Sequence, residues 1–445
     1  MANNSISTVN QSVEIRDTLA GIEPDEWNAL CDDGNPFLTH QFLYTLEKTG
    51  CLGQHNGWYP RYFFLWSENS NDKKLVGAMP AYLKTNSYGE FVFDWAWAEA
   101  YERNNMPYYP KLVCSIPFTP ATGQRILVHP DLDYAETLTL FANFAKQFCH
   151  SEKYSSVHWL FITQAESQVL HIAKAASSTA NQSAKDPSEP EHKTKDNPAD
   201  NREDGAPKPD LLKRIDCQYH WNNRDYESFE DFLSHCTAKR RKTIRRERRY
   251  VSDAKLKLDR RMGGTLSAQE WSWVHELYQS TFDRKWGNPS LTLEFFNKIG
   301  AVFGDNVLVV LVYDETVVQP EKPIACSVMF VGKTVLYGRY WGCREERNSL
   351  HFEACYYQGI DYCIENKIEI FEPGAQGEHK ITRGFLPTLT RSAHYIAHSG
   401  FREAIAEFLN EETQHVEHRC AELANLLPFK NEALHTERII EPVKE

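Results

Sequence analysis

The chain has 445 residues, of which 41% are hydrophobic and 25% charged, a globular composition that excludes a fibrous or wholly disordered protein. Its net charge of −12 excludes polyanion binding over the whole surface, so any nucleic-acid contact must be local. The eleven cysteines include no C-x-x-C pair and no zinc-type spacing, which predicts no metal. The apolar run 307–312 is far shorter than the roughly 20 residues of a membrane span. With a polar amino-terminal segment, these features predict a cytoplasmic protein.

Hydrophobic periodicity predicts mixed α/β structure in the first part of the chain. Strands are expected at 13–19, 58–66, 74–84, 111–128 (interrupted by prolines) and 157–163, with a strand or extended arm at 90–99. Helices are expected at 24–31, 38–49 and 134–150. We therefore predict a first lobe over 13–166. Residues 177–210 are charged, contain prolines and lack large apolar side chains, which predicts a disordered insertion within 167–214.

The same order of elements is expected after the insertion. The predicted strands are 218–221, 255–260, 307–313, 322–331, 334–342 and 368–372, and the predicted helices are 229–250, 268–282, 291–302, 350–366 and 401–426. A strand, two helices, a three-strand meander, a helix and a strand thus occur twice, which is the element order of the acetyltransferase-type GNAT fold. This predicts a second lobe over 215–400, followed by a helix and tail over 401–445.

One predicted helix is unusually basic. Between Thr237 and Arg249 there are eight basic residues and one acid, which leaves a net charge of −19 on the rest of the chain. Two interpretations stay open, a solvated helix or a surface that binds phosphates of a tRNA, a lipid-linked precursor or an anionic membrane. The candidate phosphate contacts are Arg245, Arg246, Arg248 and Arg249.

Several stretches carry a more specific resemblance. They are residues 91–112, 116–127, 218–223, 239–249, 350–364 and 371–396. Together they resemble the FemAB-like family of predicted N-acyltransferases, a bacterial group described as peptidoglycan biosynthesis or recognition proteins. The resemblance implies two GNAT-like halves and the transfer of an acyl or aminoacyl group to an amine of a small molecule or peptide.

The resemblance leaves the donor open. Fem-type relatives use aminoacyl-tRNA and modify a peptidoglycan precursor, whereas ordinary GNAT enzymes use acyl-CoA, whose pyrophosphate binds a glycine-rich loop at a helix amino-terminus. The matching junction here, 342–350, has no second glycine. In the helix that follows, Glu353 either lines the cleft or pairs with Arg347. Direct attack within a cleft between the lobes is expected, and the alternatives are a non-catalytic recognition module and a strictly tRNA-dependent ligase.

The block 371–396 holds the candidate catalytic residues. Glu372 ends a predicted strand, beyond which ligands bind in open α/β sheets. The attack of an amine on an acyl carbon needs a base, for which Glu378 and His379 are candidates, and a donor to the oxyanion or a phosphate, for which Lys380 and Arg383 are candidates. The alternative is a solvated glycine-rich turn whose charges pair with one another.

Two further sets of residues are candidate substrate contacts. Asp94, Trp97 and Tyr101 belong to a run of aromatic and acidic side chains that suits a sugar or a cationic peptide side chain, unless it is a strand with one face in the core. Thr119 and Arg125 flank a proline- and glycine-containing segment that is either an anion-binding turn or a simple bend.

Overall fold

The computed structural model describes residues 11–31, 33–69, 72–172, 210–285, 288–317, 322–375 and 377–430. The strands of the first half are β1 (Gln11–Arg16), β2 (Trp58–Pro60), β3 (Tyr62–Asn69), β4 (Asp72–Met79), β5 (Ala81–Lys84), β6 (Lys111–Cys114), β7 (Leu127–Val128) and β8 (Ser156–Leu160). Its helices are α1 (Pro24–Asn28), α2 (His40–Lys48), α3 (Trp95–Arg103), α4 (Tyr134–Ser151) and α5 (Gln164–Ile172).

The second half repeats this alternation of strands and helices. Its strands are β9 (Leu212–Asn222), β10 (Leu256–Met262), β11 (Val307–Asp314), β12 (Ala325–Val331), β13 (Val335–Cys343), β14 (Ile370–Glu372) and β15 (Leu386–Ile396). Its helices are α6 (Phe229–His235), α7 (Ala238–Asp253), α8 (Ala268–Lys285), α9 (Leu293–Phe303), α10 (Leu350–Phe352, a π-helical turn Glu353–Tyr357, then Gln358–Asn366) and α11 (Ser399–Ala424).

Two β-sheets connect these elements. One has the strand order β1-β3-β4-β7, and the other has the order β10-β11-β12-β13-β14-β9-β15-β8-β6-β5-β2. The larger sheet runs through both halves, because β15 pairs with β9 on one side and with β8 of the first half on the other. A continuous set of backbone hydrogen bonds therefore joins the two halves.

Among the described residues, each half contains one parallel pair of strands. In the first half β6 and β8 are parallel and are separated in the chain by α4, and in the second half β13 and β14 are parallel and are connected through α10. Parallel neighbours need such a crossover, whereas the antiparallel pairs around them do not. The chain is therefore an α/β protein with two tandem GNAT-like halves, as the element order predicts.

Buried aromatic rings pack the two halves against each other. The ring centroid of Phe37 lies 4.9 Å from that of Phe330 and 5.0 Å from that of Tyr337. Phe42 lies 6.0 Å from Phe295 in the same way. All five side chains are buried, and such pairs stabilise a core beyond the area that they bury. This shared core fixes the spacing of the walls between the halves.

Two local predictions are wrong. Residues 95–103 form helix α3 instead of continuing a strand from 90–99, because Trp97 and Tyr101, four positions apart, both bury their rings on one helix face. The predicted helix 229–250 is two helices, α6 and α7, separated at Cys236 and Thr237.

Periodicity also does not predict the central strand β15. Its interior positions include the polar residues Thr390, Ser392 and His394, so the usual alternation of apolar and polar side chains is missing.

The predicted insertion is shorter at both ends, because α5 and β9 occupy part of 167–214, and residues 173–209 of it lie outside the described residues. Within the described part of the chain, no helix has the length and apolarity of a membrane span.

Candidate active site

A cleft of about 710 Å³ opens between the two halves. Its first wall is the segment from Ser87 to Trp95, which connects β5 to α3. Its second wall is formed by β12, β13, α10 and the loop that follows β14. The second wall consists of Ser327, Gly338, Arg339, Tyr340, Trp341, His351, Cys355, Tyr356, Pro373, Gly374, Ala375, Gly377, His379 and Lys380. The cleft therefore brings part of the predicted catalytic block next to the first half.

The loop after β14 turns sharply at glycines. Gly374 and Gly377 have φ angles of 93° and 116°, values that L-residues rarely adopt, and a 3₁₀ turn follows over Glu378–Arg383. Because a 3₁₀ turn places consecutive side chains about 120° apart, neighbouring residues of this loop face different surroundings. The turn thus separates residues that are adjacent in the sequence.

Lys380 is buried in the cleft wall, with 2% of its surface exposed. Its Nζ donates a hydrogen bond of 2.6 Å to the carbonyl oxygen of Gly374, and no carboxylate of the described residues forms an ion pair with it. Burial without a compensating charge lowers the pKa of Lys380 to about 7. Near neutral pH its amine is therefore present in both the charged and the neutral form.

His379 lines the same cleft. Its Nε2 lies 2.8 Å from the hydroxyl oxygen of Tyr356, a residue of the π-helical turn of α10. Burial, together with the positive charges of Arg383 and Lys380, lowers the pKa of His379. The imidazole is therefore neutral at pH 7 and has a proton-accepting nitrogen.

The other predicted residues of this block face away from the cleft. Glu378 is exposed and forms an ion pair with Arg419 of α11. The guanidinium group of Arg383 pairs with Glu247 at 2.6 Å and donates a bond of 2.6 Å to the carbonyl oxygen of His379. Arg383 thus holds the loop against helix α7.

Glu372 lies buried at the end of β14, beneath the cleft. Its Oε2 has no hydrogen-bond partner among the described residues, and its Oε1 lies 3.9 Å from Nδ1 of His220. Burial raises the pKa of Glu372 to about 8, so most of this carboxyl is protonated at neutral pH. Glu372 is accordingly a neutral group below the second wall.

The segment with Thr119 and Arg125 is a buried bend. Arg125 is fully buried and donates to the backbone carbonyls of Ala121, Gly123, Gln124 and Leu160. Thr119 is 1% exposed and donates a bond of 3.0 Å to the carbonyl of Pro117. Neither side chain reaches the cleft.

The aromatic and acidic run divides into two sets. Asp94, Trp97 and Tyr101 are buried, and the ring of Tyr101 stacks on Phe401 of α11 with centroids 3.9 Å apart. Trp95 of this run is exposed and lines the cleft, as do the exposed rings of Tyr88 and Phe93, which precede the run. The rings available to a ligand are therefore not the ones that the sequence favours.

The basic helix α7 is partly paired. Arg248 forms ion pairs of 3.0 Å with Glu353 and 2.7 Å with Asp361, so Glu353 is buried against α7 and does not pair with the predicted Arg347. Arg245 pairs with Glu230. An exposed stripe remains that has no ion pair among the described residues; it comprises Lys239, Lys242, Arg246 and Arg249.

Sequence reasoning missed several cleft residues, notably Arg339, Cys355 and Tyr356. Arg339 interrupts an otherwise apolar and aromatic strand, and a lone charge at such a position is the signal that indicates it. Cys355 and Tyr356 lie within the π-helical turn of α10, and such turns are frequent at functional sites. A π-helical turn leaves no clear sequence pattern.

The fold and the cleft define a tandem GNAT-like α/β protein with a site between its halves. The profile of the FemAB-like family, described as peptidoglycan biosynthesis/recognition, matches residues 18–188 and 194–431. The chain therefore belongs to the FemAB-like family.

Solved structures resemble the chain at low sequence identity. FemX is 13% identical, with 88% of this chain and 100% of that chain covered and a TM-score of 0.45. L-PGS from Bacillus licheniformis is 10% identical, with coverages of 90% and 99% and a TM-score of 0.44. A tandem GNAT protein from the clavulanic acid biosynthesis pathway is 8% identical, with coverages of 87% and 99% and a TM-score of 0.40. None of the curated proteins compared with the chain matches it.

Proposed function

We propose that this chain transfers an acyl or aminoacyl group from an activated donor to an amine in the cleft between its halves. The observation that carries the proposal is Lys380, an amine buried in the cleft wall without a carboxylate partner among the described residues. Lys84 is also buried without an ion pair in the described part of the chain and also has a pKa lowered to about 7, but it is not part of the cleft lining, whereas Lys380 is. A perturbed pKa in a cleft is typical of a reactive site. Membership of a peptidoglycan biosynthesis/recognition family supports a peptidoglycan-related acceptor amine.

The two cleft residues of the loop divide the chemistry between them. The acceptor nitrogen attacks the donor carbonyl carbon, and neutral His379 accepts the proton that the nitrogen loses. The charged form of Lys380 donates hydrogen bonds to the oxyanion that develops. The bond from the carbonyl carbon to the donor oxygen or sulfur then breaks, and the proton on His379 passes to the leaving group. Tyr356 orients the imidazole through its hydroxyl group.

Aminoacyl-tRNA is the donor that we favour. The exposed basic stripe of α7 suits a chain of phosphates, because its four charges follow one helix face and are not neutralised by neighbours among the described residues. The junction 342–350 lacks the second glycine with which many GNAT loops approach the pyrophosphate of coenzyme A. A cavity of about 600 Å³ at this junction shares Trp341 and His351 with the cleft, which supports entry of the donor from that side.

Incubation of the full-length protein with charged tRNA or acyl-CoA and an amine-containing peptidoglycan precursor peptide tests the proposal. We expect a donor-dependent rise in the unfolding temperature and an acylated amine, detected by mass spectrometry, with aminoacyl-tRNA. Product formed only with acyl-CoA would show that acyl-CoA is the donor instead of aminoacyl-tRNA, and it would still support transferase activity. Binding of the precursor without product from either donor would overturn the proposal in favour of a recognition module.

A further inference from the structure

Arg339 lies on β13 in the second wall of the cleft. One Nη nitrogen of its guanidinium group donates to the backbone carbonyl of Phe118, which belongs to the first half. The guanidinium carbon lies 6.0 Å from the ring centroid of Phe91 and 5.6 Å from that of Tyr340. The ring of Phe91 and the carbonyl of Phe118, both from the first half, together with the ring of the neighbouring Tyr340, therefore hold the planar group in place.

The charge of Arg339 is not neutralised by the described residues. No ion pair to it is formed, and its Nε is buried without a hydrogen-bond partner among them. The described lining of the cleft contains no aspartate or glutamate. Glu372, which acts on Arg339 electrostatically, has a pKa raised to about 8 by burial and is mostly neutral at pH 7. A buried donor and an uncompensated charge both cost stability unless a partner binds.

We infer that Arg339 binds an oxyanion, a carboxylate or a phosphate, of the molecule that occupies the cleft. A guanidinium fork matches both groups with two parallel N–H···O bonds, which a lysine cannot reproduce. Arg339 lines the cleft, so an anion bound there can meet its guanidinium group. Arg339 then anchors the substrate at one point while Lys380 meets the reacting carbonyl at another. The identity of this ligand as a substrate rests on the proposed function, whereas the anion binding does not.

Thermal unfolding of the full-length protein with inorganic phosphate or with N-acetylglycine, each against sodium chloride of equal ionic strength, tests the inference. We expect one of these anions to raise the unfolding temperature, and the responding anion identifies the group as phosphate or carboxylate. Arg339→Gln should weaken the apparent affinity about tenfold or more, and Arg339→Lys should do so while keeping the charge. Arg260→Gln is the matched control, because Arg260 pairs with Glu365 away from the cleft lining.

An unchanged response in Arg339→Gln would overturn the inference, because it would place the anion elsewhere, for instance on the basic stripe of α7. The absence of any response in the wild type would also overturn it. Arg339→Lys serves as the deciding variant if Arg339→Gln does not fold. The assay measures binding without turnover. If the response depends on Arg339 but the protein has no transfer activity, the anion-binding inference is supported and only the proposed function is contradicted.

Discussion

Replacing Lys111 with methionine is expected to lower the free energy of unfolding by about 3–5 kcal/mol, because it leaves two buried carboxyl groups without their cation. Lys111 is fully buried, lies 2.8 Å from Oε2 of Glu90 and forms a second ion pair with Asp94. Burial opposes its charged form, but the carboxylates of Glu90 and Asp94 raise the pKa of Lys111 overall. The carboxylate of Asp94 is buried too, and Lys111 helps to hold its pKa at about 2 against the effect of burial.

Lys84→Met is the matched control for this change. Lys84 is the cross-strand neighbour of Lys111 and equally buried, but no ion pair is formed by it among the described residues. Burial lowers the pKa of Lys84 to about 7, so the substitution removes a partly neutral amine and should cost far less. Denaturant unfolding of both variants measures the difference. Equal losses in the two variants would contradict the importance of the ion pairs.

Lys380→Met is expected to change the dependence of stability on pH. Burial lowers the pKa of Lys380 from 10.5 to about 7, so between these values the unfolded chain binds more protons than the native chain. The stability of the wild type therefore rises with pH in this interval, and below pH 7 the native state carries the full cost of the buried charge. The variant should exceed the wild type in free energy of unfolding by the largest amount below pH 7. This difference should fall by about 1.4 kcal/mol per pH unit between pH 7 and 10.

Urea unfolding of both proteins at a series of pH values measures this effect. Lys242→Met, at an exposed position of α7, controls for the loss of a positive charge. The free energies of unfolding of Lys380→Met and wild type could instead change in parallel with pH across this interval. That result would show that the amine of Lys380 is as well solvated, or as well paired, in the native state as in the unfolded chain. The assignment of Lys380 to a dry cleft wall would then be wrong.

The order of elements could be predicted from the sequence because most strands and helices keep the usual spacing of apolar side chains. The repeated crossovers through α4 and α10 follow from this pattern, and with them the fold class. The strand β15 does not follow, because its buried face carries Ser392 and His394, which satisfy each other by a hydrogen bond of 2.8 Å. A polar pair of this kind is stable only in the folded protein, so no local pattern indicates it.

The sequence could predict which loop carries the candidate site, but not which side chains of that loop face the cleft. Glycines and a run of charged residues mark it, but Glu378 and Lys380 differ in direction because of a backbone turn that the residue types alone do not define. The same limit applies to the aromatic run, where helix α3 buries Trp97 and leaves Trp95 exposed. Arg339 contributes to the cleft from a strand distant in sequence from the loop, and the parallel pairing of β13 with β14 within the second half brings the two together.

Transfer in the cleft is tested most directly by the initial rates of amine acylation in three single variants of one turn, Glu378→Gln, His379→Ala and Lys380→Ala. The cleft-facing variants His379→Ala and Lys380→Ala should each lose about a hundredfold or more in rate, whereas Glu378→Gln should keep a rate close to that of the wild type. Wild-type rates in both cleft-facing variants, or an equal loss in Glu378→Gln, would contradict acyl transfer at this wall of the cleft.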